Sequence, residues 1–215
     1  MPADCSFLLC TRNEARHVNF EFVLSWYQRF QWFKEHLALD DSTDETPRIL
    51  EKYGFKVLRN PKCRTLADGR NWLQSQAAYD WVYHSDADEL LDWNFLNNLE
   101  HWLQAEAEDE KVAYSFPRIN QPRPGREVAW KDYQTRLLNR RYVEWGYANP
   151  NEPAHTIAVI KSTKRPADAP VRRGDKLVFY TQRLDYHPIL HLPRPLTEDA
   201  TVQERWRTTQ DLLTH

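Results

Sequence analysis

The sequence predicts an α/β fold with a mostly parallel central sheet flanked by helices and a smaller, irregular, β-containing C-terminal half. Three observations predict it. Short apolar runs alternate with stretches of helical spacing through residues 1–110, the signature of strand–helix–strand units. Past residue 110 the pattern changes to β-like runs separated by loops rich in Pro, Arg and Lys. Two acidic clusters also fall at the ends of predicted strands, where open α/β sheets bind their ligands.

The elements follow in order. SFLLC at residues 6–10 is a buried strand, and residues 18–33 carry apolar side chains at helical spacing. Residues 36–39 form a second strand ending in the acidic turn DDSTD. Thr46 with Pro47 behind it starts a helix and Gly54 stops it. Residues 55–58 are a third strand, residues 69–79 a helix and residues 81–84 a fourth strand. Asp92 caps a further helix running to about Glu106. Residues 112–117, 136–138, 155–160 and 177–181 are later strand candidates, and residues 197–213 a terminal helix. Two basic stretches, 118–131 and 161–176, are long enough to be binding loops. One domain of residues 1–215 accommodates this, with a ligand-binding half to about residue 110 and an irregular half after it.

Composition excludes several classes. A formal net charge of −2 across 215 residues lacks the basic face that neutralises nucleic-acid phosphates. No apolar stretch approaches the roughly 20 residues of a membrane span, and MPADCSFLLC lacks a basic leader. Cys5, Cys10 and Cys63 are an odd count without metal-ligand spacing, which fits buried thiols in a reducing, cytoplasmic setting. The five glycines, Gly54, Gly69, Gly125, Gly146 and Gly174, are too far apart for a glycine-rich phosphate loop. A diphosphate bound here must be handled by acidic residues and a metal ion.

Four constellations carry chemistry. The sharpest is WVYHSDADE at residues 81–89, an apolar strand running into Asp86-Ala87-Asp88. Carboxylates two apart at a strand end project to one side, where both reach one divalent ion. The second is LDDSTDET at residues 39–46; a carboxylate there accepts from a base N–H or a ribose hydroxyl, or Asp44 and Thr46 simply cap the next helix. The third is Thr11-Arg12-Asn13-Glu14-Ala15 after the first strand, and the fourth is Asp68-Gly69-Arg70-Asn71.

In this order, the four pieces resemble family 2 glycosyltransferases of the GT-A fold. TRNEA is similar to the segment after that family's first strand, and LDDSTDET to its V-D-D-G-S-x-D-G-T signature with one residue missing. GRN resembles its A-R-N helix start and HSDADEL its L-D-A-D-D segment. Farther on, TRLLNRR at residues 135–141 is similar to an R-L-F-R-R stretch of some members. Pro150-Asn151-Glu152 falls where a V-H-E triplet follows in those members.

The resemblance implies an inverting, metal-dependent transfer of a sugar from a UDP-sugar or GDP-sugar to an acceptor hydroxyl. The acceptor would be a carbohydrate, a lipid-linked group or a protein, and the protein cytoplasmic or peripheral to a membrane. Thr11, Asn13, Glu14, Asp40, Asp41, Arg70, Asp86, Ala87 and Asp88 would bind the donor. Thr11 and Asp40 would meet the base and ribose, with Asp41 the alternative for Asp40, and Arg70 the diphosphate. Asp88 would bind Mn²⁺ or Mg²⁺ directly, and Asp86 the ribose or the metal through water. His191 and His155 are candidate further metal ligands. Glu152, with Asp132 as second candidate, would be the catalytic base. Two other readings stand beside this one: a metal-dependent phosphohydrolase or nucleotidyltransferase, and a GT-A domain that binds nucleotide sugars without turnover.

Overall fold

A computed structural model of the chain describes residues 4–60, 62–63, 65–101, 103, 112–120, 130–147, 156–169, 171–173, 176–178 and 181–192. The first half alternates as β1 (Cys5–Thr11), α1 (Phe20–Tyr27), β2 (Phe33–Asp40), α2 (Thr46–Lys52), β3 (Lys56–Leu58), α3 (Leu66–Gln76) and β4 (Trp81–Ser85). Next come β5 (Glu89–Leu91), α4 (Trp93–Asn97), β6 (Ala113–Asn120), β7 (Trp130–Asn139), β8 (Val143–Tyr147) and β9 (Thr156–Ile160). Four short strands complete the described chain: β10 (Val171–Arg173), β11 (Lys176–Val178), β12 (Thr181–Arg183) and β13 (Ile189–His191).

A nine-stranded sheet of order β3-β2-β1-β4-β7-β6-β13-β5, with β12 also paired to β6, forms the centre. Five of its pairings are parallel (β1–β2, β1–β4, β2–β3, β6–β12, β6–β13) and three antiparallel (β4–β7, β6–β7, β5–β13). The expected α/β fold with a mostly parallel central sheet is therefore the observed one. Hairpins β8–β9 and β10–β11 form two smaller sheets. Strands from both halves of the chain share the large sheet, so residues distant in sequence meet at its centre.

Period-2 alternation in β1 divides the core. Phe7 and Leu9 face α1, α2 and α4 with Tyr27, Leu50, Phe95 and Leu96, while Leu8 faces the other way with Ala67, Leu73 and Val82. Phe7 anchors the first layer: its ring centroid lies 4.5 Å from Tyr27, 5.1 Å from Phe33 and 5.7 Å from Tyr83, separations at which aromatic pairs add to simple burial.

Element boundaries differ from expectation for local reasons. The helix expected over residues 18–33 stops at Tyr27, because Phe33 is drawn into the sheet opposite Cys5 and the Cys5 amide donates to the Trp32 carbonyl at 3.2 Å. α3 begins three residues before Gly69, because Thr65 Oγ1 accepts from the Asp68 amide at 3.1 Å, an N-cap that Thr65 and Asp68 together announce. Asp92 caps α4 as expected, accepting from the Phe95 amide at 3.0 Å; a turn at Asn98 interrupts the helix, and residues 99–101 and 103 are helical again. Arg118–Asn120 extend β6, and Trp130 and Lys131 open β7, where a loop over 118–131 is expected. The terminal helix over 197–213 lies outside the described residues.

Candidate active site

The carboxyl ends of β1, β2 and β4 lie side by side, since Thr11 is in register with Asp40 and Leu9 with Ser85. The first two ends interlock. Thr11 Oγ1 donates to Asp40 Oδ1 at 2.8 Å, and Ser42 donates its hydroxyl to Oδ1 at 2.6 Å and its amide to Oδ2 at 3.1 Å. Asn13, at a positive φ of 57°, donates its amide to Ser42 Oγ at 2.6 Å and accepts from the Thr43 amide at 2.9 Å. Asp40 is thus 1% exposed and spent on holding the two loops together, whereas Asp41 beside it is exposed. Asp44 caps the Thr46 amide and hydroxyl, and Thr46 Oγ1 accepts from the Ala15 amide at 2.8 Å. Glu14 is buried with its Oε2 3.5 Å from His17 Nε2.

α3 supplies Arg70. A Cβ on Gly69 would lie 3.0 Å from Leu39 Cδ2, so the glycine lets the helix approach the end of β2. Asn71 binds β8 like a neighbouring strand, donating to the Trp145 carbonyl at 2.8 Å and accepting from its amide at 2.7 Å; Gln74 donates to the Val143 carbonyl at 2.8 Å. These bonds place the Trp145 ring 4.6 Å from the Arg70 guanidinium, a cation–π contact. Arg70 Nη1 donates to Thr156 Oγ1 at 2.5 Å and Nη2 to Asp86 Oδ1 at 2.7 Å.

The turn Asp86–Glu89 sits in a lattice of three arginines from three elements. Arg136 of β7, 1% exposed, reaches Asp86 Oδ2 at 2.5 Å and Glu89 Oε1 at 2.6 Å. Arg118 of β6 reaches the same Glu89 oxygen at 3.3 Å and grips Asp132 with two bonds, Nε to Oδ1 at 3.0 Å and Nη2 to Oδ2 at 2.6 Å. Burial opposes the Asp86 charge, but Arg136 and Arg70 prevail and hold its carboxyl well below the usual carboxylate range. Burial likewise opposes the charge of Asp132, yet the Arg118 contacts lower it on balance, which makes Asp132 a weaker proton acceptor.

Asp88 faces a different partner. His191 Nε2 lies 3.3 Å from Asp88 Oδ2, and His191 Nδ1 lies 2.8 Å from Asn120 Oδ1. The register explains the meeting: His191 stands opposite Asn120 on one side and Glu89 on the other. Burial lowers the imidazole's affinity for a proton, but the Asp88 carboxylate raises it above the ordinary value on balance. Asp88 and His191 are one oxygen and one nitrogen ligand of the kinds Mn²⁺ accepts. No group of three or more metal-ligating side chains occurs among the described residues. A divalent ion held by this pair would need further ligands, such as water or oxygens of a bound substrate. Both Asp86 oxygens already accept from arginines, so Asp86 is not arranged as a direct ligand.

The structure thus brings Thr11, Asn13, Asp40, Asp41, Arg70, Asp86, Ala87, Asp88 and His191 to one end of the sheet. Asp132 joins them through Arg118, while Glu152 and His155 lie outside the described residues. Sequence reasoning does not single out Arg118, Asn120, Glu89 or Trp145. A signal existed for two of them: Phe116, Arg118 and Asn120 share one face of β6, so the apolar position 116 predicts burial for the polar ones.

A sequence model described as "Glycosyl transferase family 2" matches residues 20–163. The chain belongs to glycosyl transferase family 2. This family 2 chain is 29% identical over 125 residues to an uncharacterized glycosyltransferase of Rickettsia conorii, a match over 56% of the chain and 43% of that relative. It is 28% identical over 125 residues to another from Rickettsia felis, with the same coverage. It therefore spans less than half the length of these curated relatives. A mannosyltransferase from Pyrobaculum calidifontis, solved in complex with GDP-Man and Mn²⁺, superposes on 96% of the family 2 chain and 60% of its own. The TM-score is 0.57 at 15% identity, a likeness of fold. The expected membership of family 2 and the GT-A architecture are both found. No helix among the described residues is long and apolar enough to cross a membrane.

Proposed function

We propose that this family 2 chain transfers a sugar from a nucleoside-diphosphate sugar to an acceptor hydroxyl, with inversion and with a divalent ion. The observation that carries the reading is the meeting of Asp88 and His191 beside the Asp86–Arg70 pair, at the carboxyl ends of β1, β2 and β4. That place in a sheet is where α/β proteins bind nucleotides. Residues to about 110 would form the donor half and residues after 111 the acceptor half, within one domain.

Thr11 and the exposed Asp41 would meet the base and ribose, with Asp40 as the buried anchor of their loops. UDP- and GDP-sugars fit a carboxylate there, because uracil and guanine each carry a ring N–H that adenine lacks. Asp88 and His191 would hold Mn²⁺ or Mg²⁺ together with diphosphate oxygens; the ion, when bound, neutralises the departing nucleoside diphosphate. Asp86 would act on the ribose or through water while it holds Arg70 and Arg136 in place. Glu152 would take the proton of the acceptor hydroxyl, since Asp132 is gripped by Arg118.

The test is incubation with UDP- and GDP-sugars, Mn²⁺ and a panel of carbohydrate, lipid-linked and protein acceptors. Transfer predicts release of nucleoside diphosphate and a product anomer opposite to the donor's. Release of phosphate or pyrophosphate would instead establish a phosphohydrolase or nucleotidyltransferase. Tight donor binding without turnover on every acceptor would establish a non-catalytic domain.

A further inference from the structure

Behind the Asp88–His191 pair lies a chain of polar side chains whose orientation follows link by link. Asp132 is held by both arms of Arg118 and, ionised, can only accept hydrogen bonds. Asn120, 1% exposed, therefore turns its Nδ2 toward Asp132 Oδ1 at 3.3 Å, and its carbonyl oxygen faces His191. An amide oxygen only accepts, so the ring nitrogen it meets at 2.8 Å, Nδ1, must carry the hydrogen. In the neutral imidazole the remaining nitrogen, Nε2, then bears a lone pair, and it lies 3.3 Å from the Asp88 carboxylate.

Two electron-rich atoms face one another there, a lone pair against a carboxylate oxygen. Left to itself, Asp88 would favour the opposite tautomer, in which Nε2–H donates to it. What decides between them is the orientation of Asn120, whose Nδ2 is committed to Asp132 and whose oxygen therefore meets Nδ1. We propose that Asn120, oriented by Asp132 and Arg118, is a positioning residue that fixes the tautomer of His191 so that Nε2 faces Asp88 unprotonated, as a ligand pair for a divalent cation. This rests on the metal reading of the site given above. It assigns Asp132 to an anchoring task two side chains behind the metal, apart from any exchange of protons with an acceptor. Histidines that bind metals commonly have their second nitrogen fixed by such a partner, and loss of the partner weakens metal binding by about 10–100-fold.

The experiment uses the ¹⁵N-labelled 215-residue chain free of metal, at a pH where the imidazole is neutral, with His191→Gln to assign its signals. Long-range ¹H–¹⁵N spectra should show the Nδ1–H tautomer in the wild type. Asn120→Leu should reverse it to Nε2–H, because Asp88 then wins the hydrogen. Asn120→Asp should retain the wild-type tautomer, since a carboxylate at 120 also accepts from Nδ1, and it keeps the test alive if the leucine variant fails to fold. Mn²⁺ binding with UDP present, read by electron paramagnetic resonance, should weaken about 10–100-fold in Asn120→Leu. A wild-type Nε2–H tautomer, or an Asn120→Leu variant with tautomer and Mn²⁺ affinity unchanged, would overturn the proposal. Failure of the wild type to bind Mn²⁺ while holding the Nδ1–H tautomer would refute the metal reading and leave the positioning role of Asn120 established.

Discussion

Arg136→Met removes the cation that joins Asp86 to Glu89. Arg136 is 1% exposed and Glu89 is fully buried, so the Glu89 carboxylate left behind is held away from bulk solvent. Among the described residues, the Glu89 side chain would keep only the 3.3 Å contact to Arg118, and its Oε2 already has no hydrogen-bond partner there. Breaking a buried ion pair by deleting one member costs about 3–5 kcal/mol, because the other charge is left uncompensated. That is a large part of a domain's total stability of about 5–15 kcal/mol. At roughly 2–4 °C per kcal/mol for a chain of this size, the melting temperature should fall by about 6–20 °C. Urea denaturation followed by tryptophan fluorescence measures the loss directly, and calorimetry measures the shift. Glu89→Gln added to Arg136→Met removes the stranded charge, so the double variant should be more stable than Arg136→Met alone by about 0.5–3 kcal/mol. An Arg136→Met variant within about 0.5 kcal/mol of wild type would refute the claim that this lattice holds the turn.

Four further outcomes follow from the same reading of the site. Asp40→Asn should destabilise the fold by about 1–3 kcal/mol, since buried donors from Thr11 and Ser42 lose a charged acceptor. Asp41→Asn should leave stability unchanged and weaken donor binding, which paired denaturation and calorimetric titrations separate. Burial lowers the proton affinity of His191, but Asp88 raises it on balance above the usual histidine value of about 6.5. The protonated pair therefore adds stability below that ordinary value, lost as pH rises through the higher folded value. Protons and Mn²⁺ compete for the same nitrogen, so Mn²⁺ affinity should increase over that rise, and His191→Ala should flatten the profile. Glu152→Gln should leave donor affinity within a few-fold and lower turnover by about 10²-fold or more; unchanged turnover would move the base elsewhere.

Local pattern makes the proposed donor side of the site legible. Apolar runs ending in TRN, DDSTD and DAD place polar and acidic residues at strand ends, and that is where Thr11, Asp40 and Asp86 lie. Spacing alone could not show that Asp40 is buried by its own loop while Asp41 is exposed, because that depends on Ser42 and Asn13 folding over it. The arginine lattice was hidden for a different reason. Arg70, Arg118 and Arg136 come from a helix and two strands up to 66 residues apart (136 − 70), and only the sheet order brings them to one turn. β5 and β13, three residues each, carry too little periodicity to be read as strands, yet their pairing delivers His191 to Asp88. Thr65 was the missed local signal: with Asp68 three residues on, it starts α3 ahead of Gly69.

The measurement that bears most directly on the central claim is calorimetric titration of UDP and GDP into the protein, with Mn²⁺ and then with EDTA. If Asp88 and His191 hold an ion that also binds the diphosphate, metal and nucleotide must tighten one another by the same factor. The wild type should bind nucleotide more strongly with Mn²⁺ than with EDTA. Asp88→Asn, which keeps the shape and removes a charged ligand, should bind equally in both while unfolding as the wild type does. Equal nucleotide affinity for the wild type with Mn²⁺ and with EDTA would contradict the account and leave Asp86-Ala87-Asp88 as an acidic turn held by arginines.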